Sequence, residues 1–275
     1  MLKNIIVTNY LGEDLTLSMF NPAESGFYIK SVDGLGPAKA SINMLHIVSQ
    51  DGGIFSNARA DKRNIVLTLG AYDISDIESL RQKTYKYFSL KRKLKIKFEL
   101  DNMTAYAYGF VESNEPDIFS KQETFKISIL CPFPYFYDAY ENSITFSGDD
   151  EEHQLSYDGD VETGMKITIN FQDSASGIKI TQHGKYFFAI NDTYLEKILP
   201  GGFKENDILK INTLVNEKSI ILTRDGEEKN LLNALDRNSK WFKIGKGNNT
   251  FKVEATEGLE NMNITMSNPI LYEGI

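Results

Sequence analysis

Residues 124–140 read TFKISILCPFPYFYDAY and change character at their centre. Up to position 130, apolar and polar residues alternate, which is the period-two pattern of a half-buried strand. Pro132 and Pro134 follow; they lack the amide hydrogens that a sheet needs, and each favours an extended residue before it. The pattern therefore predicts a strand that ends near Cys131 and a stiff, partly buried connector that leaves a first domain. An exposed aromatic patch that binds a partner is the alternative interpretation.

The charge distribution supports a division at this point. Residues 1–140 hold 16 basic and 16 acidic residues, whereas residues 141–275 hold 14 and 22, so the second part carries the whole net charge of −8. A chain of 275 residues is long enough for two ordinary domains. We therefore predict domains at residues 1–138 and 139–275. The acidic balance argues against nucleic-acid binding, because phosphate contacts depend on clustered cations.

The beginning of the chain shows neither a signal-peptide pattern nor a membrane-spanning pattern, so we expect production in the cytosol without membrane contact. Cys131 is the only cysteine, which excludes an intrachain disulfide and any site with several thiolate ligands.

The first half reads as strands with one helix. Alternating runs occur at residues 64–69, 94–100 and 105–112. Between the first two of these runs, Ser75 and Glu78 form a capping-box pattern before a helical periodicity. The basic run KRKLKIK at residues 91–97 alternates with the core positions, which favours a solvated strand face over a phosphate-binding stripe. We predict a β-sandwich or barrel-like domain with one α-helix.

Residues 30–63 contain four glycines, little periodicity and the turn pairs Asp33-Gly34 and Asp51-Gly52. Long glycine-marked segments in a compact domain are usually mobile or contact a partner. The second half differs, because short apolar or alternating runs are separated by turn signals almost to its end. It predicts a β-sandwich or jelly roll.

The search for catalytic, cofactor-binding and metal-binding motifs gives none. Phosphate-loop, nucleophile-elbow and zinc-protease patterns are missing, and His46, His153 and His183 share no spacing. The acidic run GDDEEH at residues 148–153 lacks the spaced ligands of a calcium loop, so it predicts a solvated loop. We predict that the protein is not an enzyme and has no cofactor.

Several motifs occur in an order that resembles a known protein family. GFYIKSVDGLG (26–36), SQDGGIF (49–55), RNIVLTL (63–69), the helix IESLRQKTYKYFSL (77–90) and FKISILCPFPYFYD (125–138) follow one another. In this order they resemble the N-terminal domain of the distal tail proteins (Dit) of long-tailed phages that infect Gram-positive bacteria. The runs DGDVETGMKITINF and NPILYEGI of the second half look like the galectin-like β-sandwich that follows in many members.

This resemblance implies a structural hub at the tip of a virion tail, with no enzymatic activity. Its N-terminal domains would form a homo-hexameric ring, and its partners would be the tail tube protein, the tail-associated tip protein and a receptor-binding protein. Assembly would take place in the host cytoplasm. Residues 191–209 are longer than the simple hairpin that we expect there, so the resemblance leaves their role open.

The candidate ring contacts lie in the glycine-rich segment, where a neighbouring subunit would cover what its own domain cannot. They are Asp51, Gly52, Gly53, Arg59, Lys62 and Arg63.

A carbohydrate-binding module is the alternative function, because galectin-like sandwiches often bind sugars. Trp241 and Tyr186 would then contact the glycan. A tryptophan at the start of a strand is, however, more often part of a core. We therefore expect Trp241, which begins the run WFKIG, to be buried and insensitive to saccharides.

Overall fold

The computed structural model describes residues 1–49, 51–72, 74–117 and 123–275. The chain divides into two compact units, Met1–Ala139 with Tyr272–Ile275, and Tyr140–Leu271. Both units are built from antiparallel strands, and the prediction of a mainly β fold is confirmed. No helix in the described ranges is both long and apolar enough to cross a membrane.

The elements of the first unit are, in chain order, β1 (Leu2–Thr8), β2 (Asp14–Ser18), α1 (Pro22–Ser25), β3 (Phe27–Asp33), β4 (Ala40–Leu45), β5 (Ile54–Ala60), β6 (Arg63–Ala71), α2 (Ile77–Tyr87), β7 (Lys93–Leu100), β8 (Thr104–Asp117), β9 (Thr124–Cys131) and the start of β10 (Phe136–Ser147). One run of strands has the order β10-β8-β7-β1-β2, and a second run, β8-β9-β6-β3, branches from the long strand β8. Over the described residues these strands do not close into a barrel, so the barrel-like form of the prediction is corrected.

Residues 124–140 contain the predicted end of a strand. β9 stops at Cys131, which pairs in register with Arg63 on β6. Its inward face, with Phe125, Ile127 and Ile129, is fully buried in the core of the first unit. The two prolines therefore end a core strand, as their missing amide hydrogens require.

Helix α2 lies where the periodicity predicts it, but its cap differs. The side chain of Asp76 accepts a hydrogen bond from the Ser79 amide at 3.2 Å, so Asp76 rather than Ser75 is the N-cap residue. Asp and Ser are both good caps, and sequence alone does not decide between neighbours. Phe88, directly after the helix, is buried in the core.

Within the glycine-rich segment, strands β4 and β5 form a β-hairpin that the sequence did not predict. β4 and β5 pair only with each other, in a two-stranded sheet of their own. Every residue of β5 is exposed. The pairing could have been anticipated, because the turn pair Asp51-Gly52 lies between two runs that contain β-forming apolar residues.

The elements of the second unit are the remainder of β10, β11 (Glu152–Tyr157), β12 (Lys166–Phe171), β13 (Lys179–Gln182), β14 (Tyr186–Ala189), α3 (Asp192–Ile198), β15 (Ile208–Asn212), β16 (Ser219–Arg224), β17 (Glu227–Asn230), β18 (Gly247–Glu254) and β19 (Met262–Tyr272). One sheet has the order β17-β16-β15-β12-β19-β10, and the other has the order β11-β18-β13-β14. Their buried faces supply one core, for example Ile167 and Ile264 from the first sheet and Ile180 and Phe251 from the second. This is the predicted β-sandwich.

One predicted strand of the second half is absent. The run WFKIG belongs to no strand and pairs only through an isolated bridge between Ile244 and Thr163. Phe242 and Ile244 are nevertheless buried in the core of this unit. The alternation of apolar and polar residues therefore predicted correctly which side chains are buried. The segment does not, however, form a ladder of strand hydrogen bonds.

Candidate functional site

The hairpin of β4 and β5, called the arm below, carries most of the residues that the sequence indicated for subunit contact. Asp51 and Gly52 lie in its turn, where Gly52 has a φ of +87°, a conformation that glycine adopts without strain. The Gly52 carbonyl lies 3.3 Å from Nδ1 of His46. Gly53 leaves little room for a side chain, since a Cβ there would lie 3.3 Å from Met44.

The arm exposes many more apolar side chains than its sequence pattern predicted. Its exposed large apolar side chains, with exposed fractions from 45% to 108%, are Ile42, Met44, Leu45, Ile47, Val48, Ile54 and Phe55. Sequence reasoning missed them because their spacing fits neither a one-sided strand nor a helix. Single exposed apolar residues are normal, but a contiguous group on one hairpin indicates an interaction surface.

Hydrogen bonds between the residues at its two ends close the base of the arm. The Ser41 hydroxyl donates to both carboxylate oxygens of Asp61, at 2.9 and 2.7 Å, and the Asp61 amide donates to the Lys39 carbonyl at 2.7 Å. Arg59 is highly exposed, with its Nε 3.9 Å from Asp61, and Lys62 is also exposed. Both side chains are accessible to another molecule.

Arg63 occupies a different position from the other predicted contact residues, because only 2% of its surface is exposed. Its guanidinium donates to the carbonyls of Pro134 (2.7 Å), Gly34 (2.5 Å), Gly36 (2.6 Å) and Glu273. Burial lowers the pKa of this guanidinium from its ordinary value. Arg63 therefore joins segments of its own unit, and its predicted place in a subunit interface is corrected.

A second exposed apolar surface of the first unit, called the aromatic face below, combines strands β7 and β8 with the connector after β9. Tyr106 stacks on Tyr137 at 5.3 Å between ring centres, and Phe133 stacks on Tyr137 at 5.4 Å. Tyr108 and Phe133 keep 40% and 37% of their surface exposed. The connector is thus only partly buried, and some of its aromatic rings are exposed to solvent. This agrees both with a partly buried connector and with an exposed aromatic patch, the two interpretations of its sequence.

Lysines border these rings. Lys95 Nζ lies 3.9 Å from the centre of the Tyr106 ring, and Lys93 Nζ lies 4.5 Å from that of Tyr108. Both distances are within the range of a cation–π interaction. The alternating basic run therefore has a solvated face, as predicted, and that face also supports the aromatic face.

In the second unit, the two residues of the alternative carbohydrate hypothesis lie on one cavity. Tyr186 and Trp241 both line a cavity of about 620 Å³, with Phe242 and Gln182 among the buried residues of its wall. Its polar rim was not anticipated from the sequence. The charged residues of that rim are Glu162, Lys240, Lys243 and Lys246.

The turn from β13 to β14 positions one wall of this cavity. His183 and Gly184 have φ values of +52° and +61°, and the Lys185 amide donates to the Gln182 carbonyl at 3.0 Å. Two successive positive φ values define a type I′ turn, which matches the twist of the flanking strands. The turn holds the exposed Tyr186 ring at the start of β14.

The opposite wall is the irregular segment that contains Trp241. The Lys240 amide donates to the Phe187 carbonyl at 2.8 Å, and Ser239 Oγ accepts from the Ala189 amide at 3.0 Å. These bonds fix the segment along β14. Trp241 is only partly buried: it packs edge-on against Phe188, with 5.4 Å between ring centres, and also faces the cavity.

Asn249 organises the third side of the cavity. This residue is 3% exposed; its Nδ2 donates to the carbonyls of Gly245 (2.8 Å) and Gly247 (3.1 Å), and its Oδ1 accepts from the Gly245 amide at 3.2 Å. The loop between these residues carries Lys246 and Asn248 on the cavity rim. An asparagine that satisfies three backbone groups of one loop fixes the conformation of that loop.

Residues 191–209 form a compact, internally bonded structure. α3 begins after Asn191, whose side chain accepts from the Tyr194 amide at 3.1 Å. Asp207 is 1% exposed and binds the Arg224 guanidinium through both oxygens, at 2.7 Å to Nε and 2.5 Å to Nη2. The Asp207 hydrogen bonds raise the pKa of Arg224.

Among the described residues, no group of three or more His, Cys, Asp or Glu side chains is close enough to hold a metal ion. In the acidic run, His153 bonds Asp149 at 2.8 Å and stacks on Phe146, and its hydrogen bond lowers the pKa of Asp149. His46 and His183 lie in the first and second unit respectively.

The comparisons with known proteins agree with the resemblance stated from the sequence. Residues 158–267 match the family model of the siphovirus-type tail component, C-terminal domain. A search of the curated proteins found no match. This match confirms the family resemblance for the second half of the chain, and the structural match that follows supports the fold of the whole chain.

Three solved structures share the fold over nearly the whole chain. SPP1 Dit (gp 19.1), described as a paradigm of the hub adsorption apparatus in phages that infect Gram-positive bacteria, is 14% identical with a TM-score of 0.73, covering 97% of this chain and 99% of its own. A chain of the phage P2 baseplate, in its activated conformation with Ca, is 11% identical with a TM-score of 0.52 and covers 98% of both chains. The same baseplate with Sr gives 12% identity, a TM-score of 0.51 and coverage of 96% and 97%.

Proposed function

We propose that this protein is a structural hub of a phage tail or phage-derived tail, and that its first unit forms a homo-hexameric ring. Three findings support the proposal: the family match of residues 158–267, the fold shared with SPP1 Dit along the whole chain, and the apolar arm of the first unit. The arm is the observation that carries it, since it is a property of this chain itself.

The exposed apolar side chains of the arm are not buried by the rest of the first unit. A two-stranded hairpin is marginally stable in water when it stands alone. Here both strands are exposed along nearly their whole length, and Ile54 and Phe55 keep 52% and 61% of their surface accessible. Burying such side chains stabilises an association by about 25 cal/mol per Å². A neighbouring subunit is therefore a suitable partner for the arm.

A ring also requires a second, different surface, because each subunit in a cyclic ring meets its neighbour through two unlike surfaces. The aromatic face is our candidate acceptor. Tyr108, Phe110 and Phe133 are exposed there, and aromatic rings are enriched at the centres of protein interfaces. In this arrangement the turn of the arm, with Asp51, Gly52 and Gly53, contacts the neighbouring subunit. At the base of the arm, Arg59 and Lys62 form ionic contacts with that subunit.

The remaining parts of the proposal concern the assembled particle. The ring would join the tail tube protein to the tail-associated tip protein at the virion tail tip, after assembly in the host cytoplasm. The second unit would serve as an attachment point, with a receptor-binding protein as one of its partners. The role is structural and involves no catalysis.

The experiment measures the mass of the full-length protein by light scattering and its symmetry by negative-stain microscopy. We expect six-fold rings of the 31.2 kDa chain. Phe55→Ser should dissociate the rings while leaving the circular dichroism spectrum unchanged, because the side chain is exposed in the free subunit. Val215→Ser is the matched control, since Val215 is an equally accessible apolar residue in the second unit.

A wild-type protein that stays monomeric at high concentration would contradict the ring. Rings that persist in both Phe55→Ser and Ile54→Ser would show that the arm is not the contact. Charge reversal at Arg59 tests the ionic part separately, and we expect it to weaken the rings more at low salt than at high salt.

A further inference from the structure

We propose that the cavity beside Trp241 binds an anionic saccharide, meaning a sugar chain that bears phosphate or carboxylate groups. The inference concerns the second unit alone and does not depend on the ring. It goes beyond the hub function, because an attachment point needs no ligand of its own. It also departs from the expectation that Trp241 is a buried core residue without a role in binding.

The cavity has the size and composition of a ligand site. Its volume of about 620 Å³ lies within the ~300–1,000 Å³ typical of small-ligand pockets. Phe242 is 1% exposed and gives the cavity an apolar wall. Polar groups of Gln182, His183 and Asn248 lie around it. An apolar wall with a few convergent polar groups is the usual design of such sites.

Two aromatic side chains, which come from different segments, provide stacking surfaces. Tyr186 keeps 43% of its surface exposed. Trp241 contacts the Phe188 ring edge-on, with an interplanar angle of 67°, and its ring also lines the cavity. An aromatic side chain combines a large apolar surface with a polar tip, which suits the mixed C–H and hydroxyl surface of a sugar.

The charges on the rim favour an anion. Lys240, Lys243 and Lys246 line the cavity against a single acid, Glu162. Lys243 lies 3.5 Å from Glu162, and Lys246 lies 3.4 Å from Asp160 outside the lining. These ion pairs are exposed, so they contribute little and leave the ammonium groups available to a ligand.

This local excess of cations contrasts with the second half as a whole, whose net charge is −8. A fourth lysine, Lys218, has its Nζ 5.4 Å from the centre of the Trp241 ring. Cations focused in a cavity within an acidic surface attract a compact anion. A nucleic acid would stack on the same rings, but its continuous phosphate backbone would run along the surrounding acidic surface.

The walls are fixed before any ligand arrives. The type I′ turn holds Tyr186, and backbone hydrogen bonds hold the segment of Trp241. Asn249 holds the loop of Lys246. A preformed site loses little conformational entropy on binding.

The test uses a favourable property of the chain, which contains only one tryptophan. Selective tryptophan excitation therefore reports on Trp241 in the full-length protein. The probes are lipid-free poly(glycerol phosphate), a galacturonic acid oligomer, and an N-acetylglucosamine oligomer as the neutral control. We expect a saturable emission change with at least one anionic probe, weakened by salt, and none with the neutral one. The two anionic probes distinguish a phosphate ligand from a carboxylate ligand.

Two variants and one control identify the site, with affinities measured by calorimetry. Lys246→Glu should weaken binding of the anionic probe by about tenfold or more. Lys229→Glu makes the same charge change on exposed strand β17, outside the cavity, and should leave the affinity nearly unchanged. Tyr186→Ala should weaken binding without altering the salt dependence, because it removes a stacking surface and no charge.

The proposal is overturned if neither anionic probe gives a saturable change at millimolar concentration. It is also overturned if Lys246→Glu and Lys229→Glu weaken binding equally, because the effect would then be one of net charge. Tighter binding of an oligothymidine of matched charge would identify a nucleic-acid site instead.

Discussion

The guanidinium carbon of Arg63 lies 4.2 Å from the centre of the Phe136 ring, and this stacked pair forms the junction of several segments of the first unit. Phe136 is fully buried and opens β10 directly after the proline-containing connector. The same guanidinium donates to carbonyls in the connector, in the segment before the arm and in the residues at the end of the sequence. One side chain therefore holds together segments that are distant in sequence.

Replacement of Arg63 by lysine should destabilise the first unit by about 3 kcal/mol or more, because each buried polar group left without a partner costs about 1–3 kcal/mol. A lysine keeps the charge but lacks the planar fork that reaches several carbonyls at once. Chemical denaturation followed by circular dichroism measures the loss. Arg59→Lys is the control and should change the stability by less than about 0.5 kcal/mol, because its side chain is exposed. Equal stability of the two variants would contradict the structural role of Arg63.

Cys131 should be unreactive in the folded protein. Burial raises the pKa of its thiol from 9.0 to about 11, against a smaller opposing effect of Arg63. Because the thiolate is the reactive form, alkylation by iodoacetamide at neutral pH should be at least about a hundredfold slower than in urea. Mass spectrometry of the labelled protein measures both rates. Comparable rates in the two conditions would show that the thiol is accessible.

The same raised pKa predicts a pH dependence of stability. The folded state favours the neutral thiol, so the contribution of Cys131 is complete below the unfolded pKa of 9.0 and is lost as pH rises towards about 11. Other groups titrate in this range, so the relevant quantity is the difference in unfolding free energy between the wild-type protein and Cys131→Ala. That difference should shrink between pH 9.0 and 11. A difference that stays constant over this window would contradict the burial of the thiol.

The sequence predicted those features that depend on local chemistry. The end of β9 followed from two missing amide hydrogens, and the buried faces of β7 and β9 followed from alternation. Features that depend on distant partners were not predictable. Arginine is usually a surface residue, so the sequence did not indicate that Arg63 is buried. Only in the folded chain do the carbonyls of Gly34, Pro134 and Glu273 reach its guanidinium.

The same distinction applies to the candidate sites. Trp241 and Tyr186 were selected as aromatic residues of a sandwich, but the lysines of the rim were not, because Lys240 and Lys246 lie in loops that look like ordinary solvated turns. The apolar content of the arm was visible in the sequence. Its exposure was not, since β4 and β5 would look the same if a third strand covered them.

Asp207→Asn should destabilise the second unit by about 3 kcal/mol, because the variant leaves the Arg224 guanidinium facing a neutral partner at a nearly buried position. The carboxylate also accepts from the Lys204 amide at 2.9 Å, so the turn before β15 should loosen as well. Hydrogen exchange of residues 199–207 and denaturant unfolding monitored through Trp241 measure the two effects. Lys179→Gln, which breaks the exposed pair with Glu254, is the control and should cost less than about 1 kcal/mol. A cost for Asp207→Asn as small as that of the control would contradict the structural role of the buried pair.

Removal of Glu273–Ile275 should destabilise the first unit, although these residues are the last in the sequence. Together with Tyr272 they belong to this unit: the Tyr272 hydroxyl donates to Asp138 at 2.8 Å, and the Ile275 amide donates to the Leu35 carbonyl at 3.0 Å. A chain that stops at Tyr272 loses the Glu273 carbonyl and leaves one Arg63 donor unpaired, at a cost of about 1–3 kcal/mol. A fragment of residues 1–139 should therefore be less stable than the same unit in the full chain.

Circular dichroism melting compares the full chain, the chain that stops at Tyr272, and a variant in which Glu273 is replaced by alanine. The alanine variant keeps the backbone carbonyl and should melt like the wild-type protein. If the shortened chain also melts like the wild-type protein, the terminal residues do not contribute to the first unit, and Arg63 is held by its other three carbonyl partners and by Phe136.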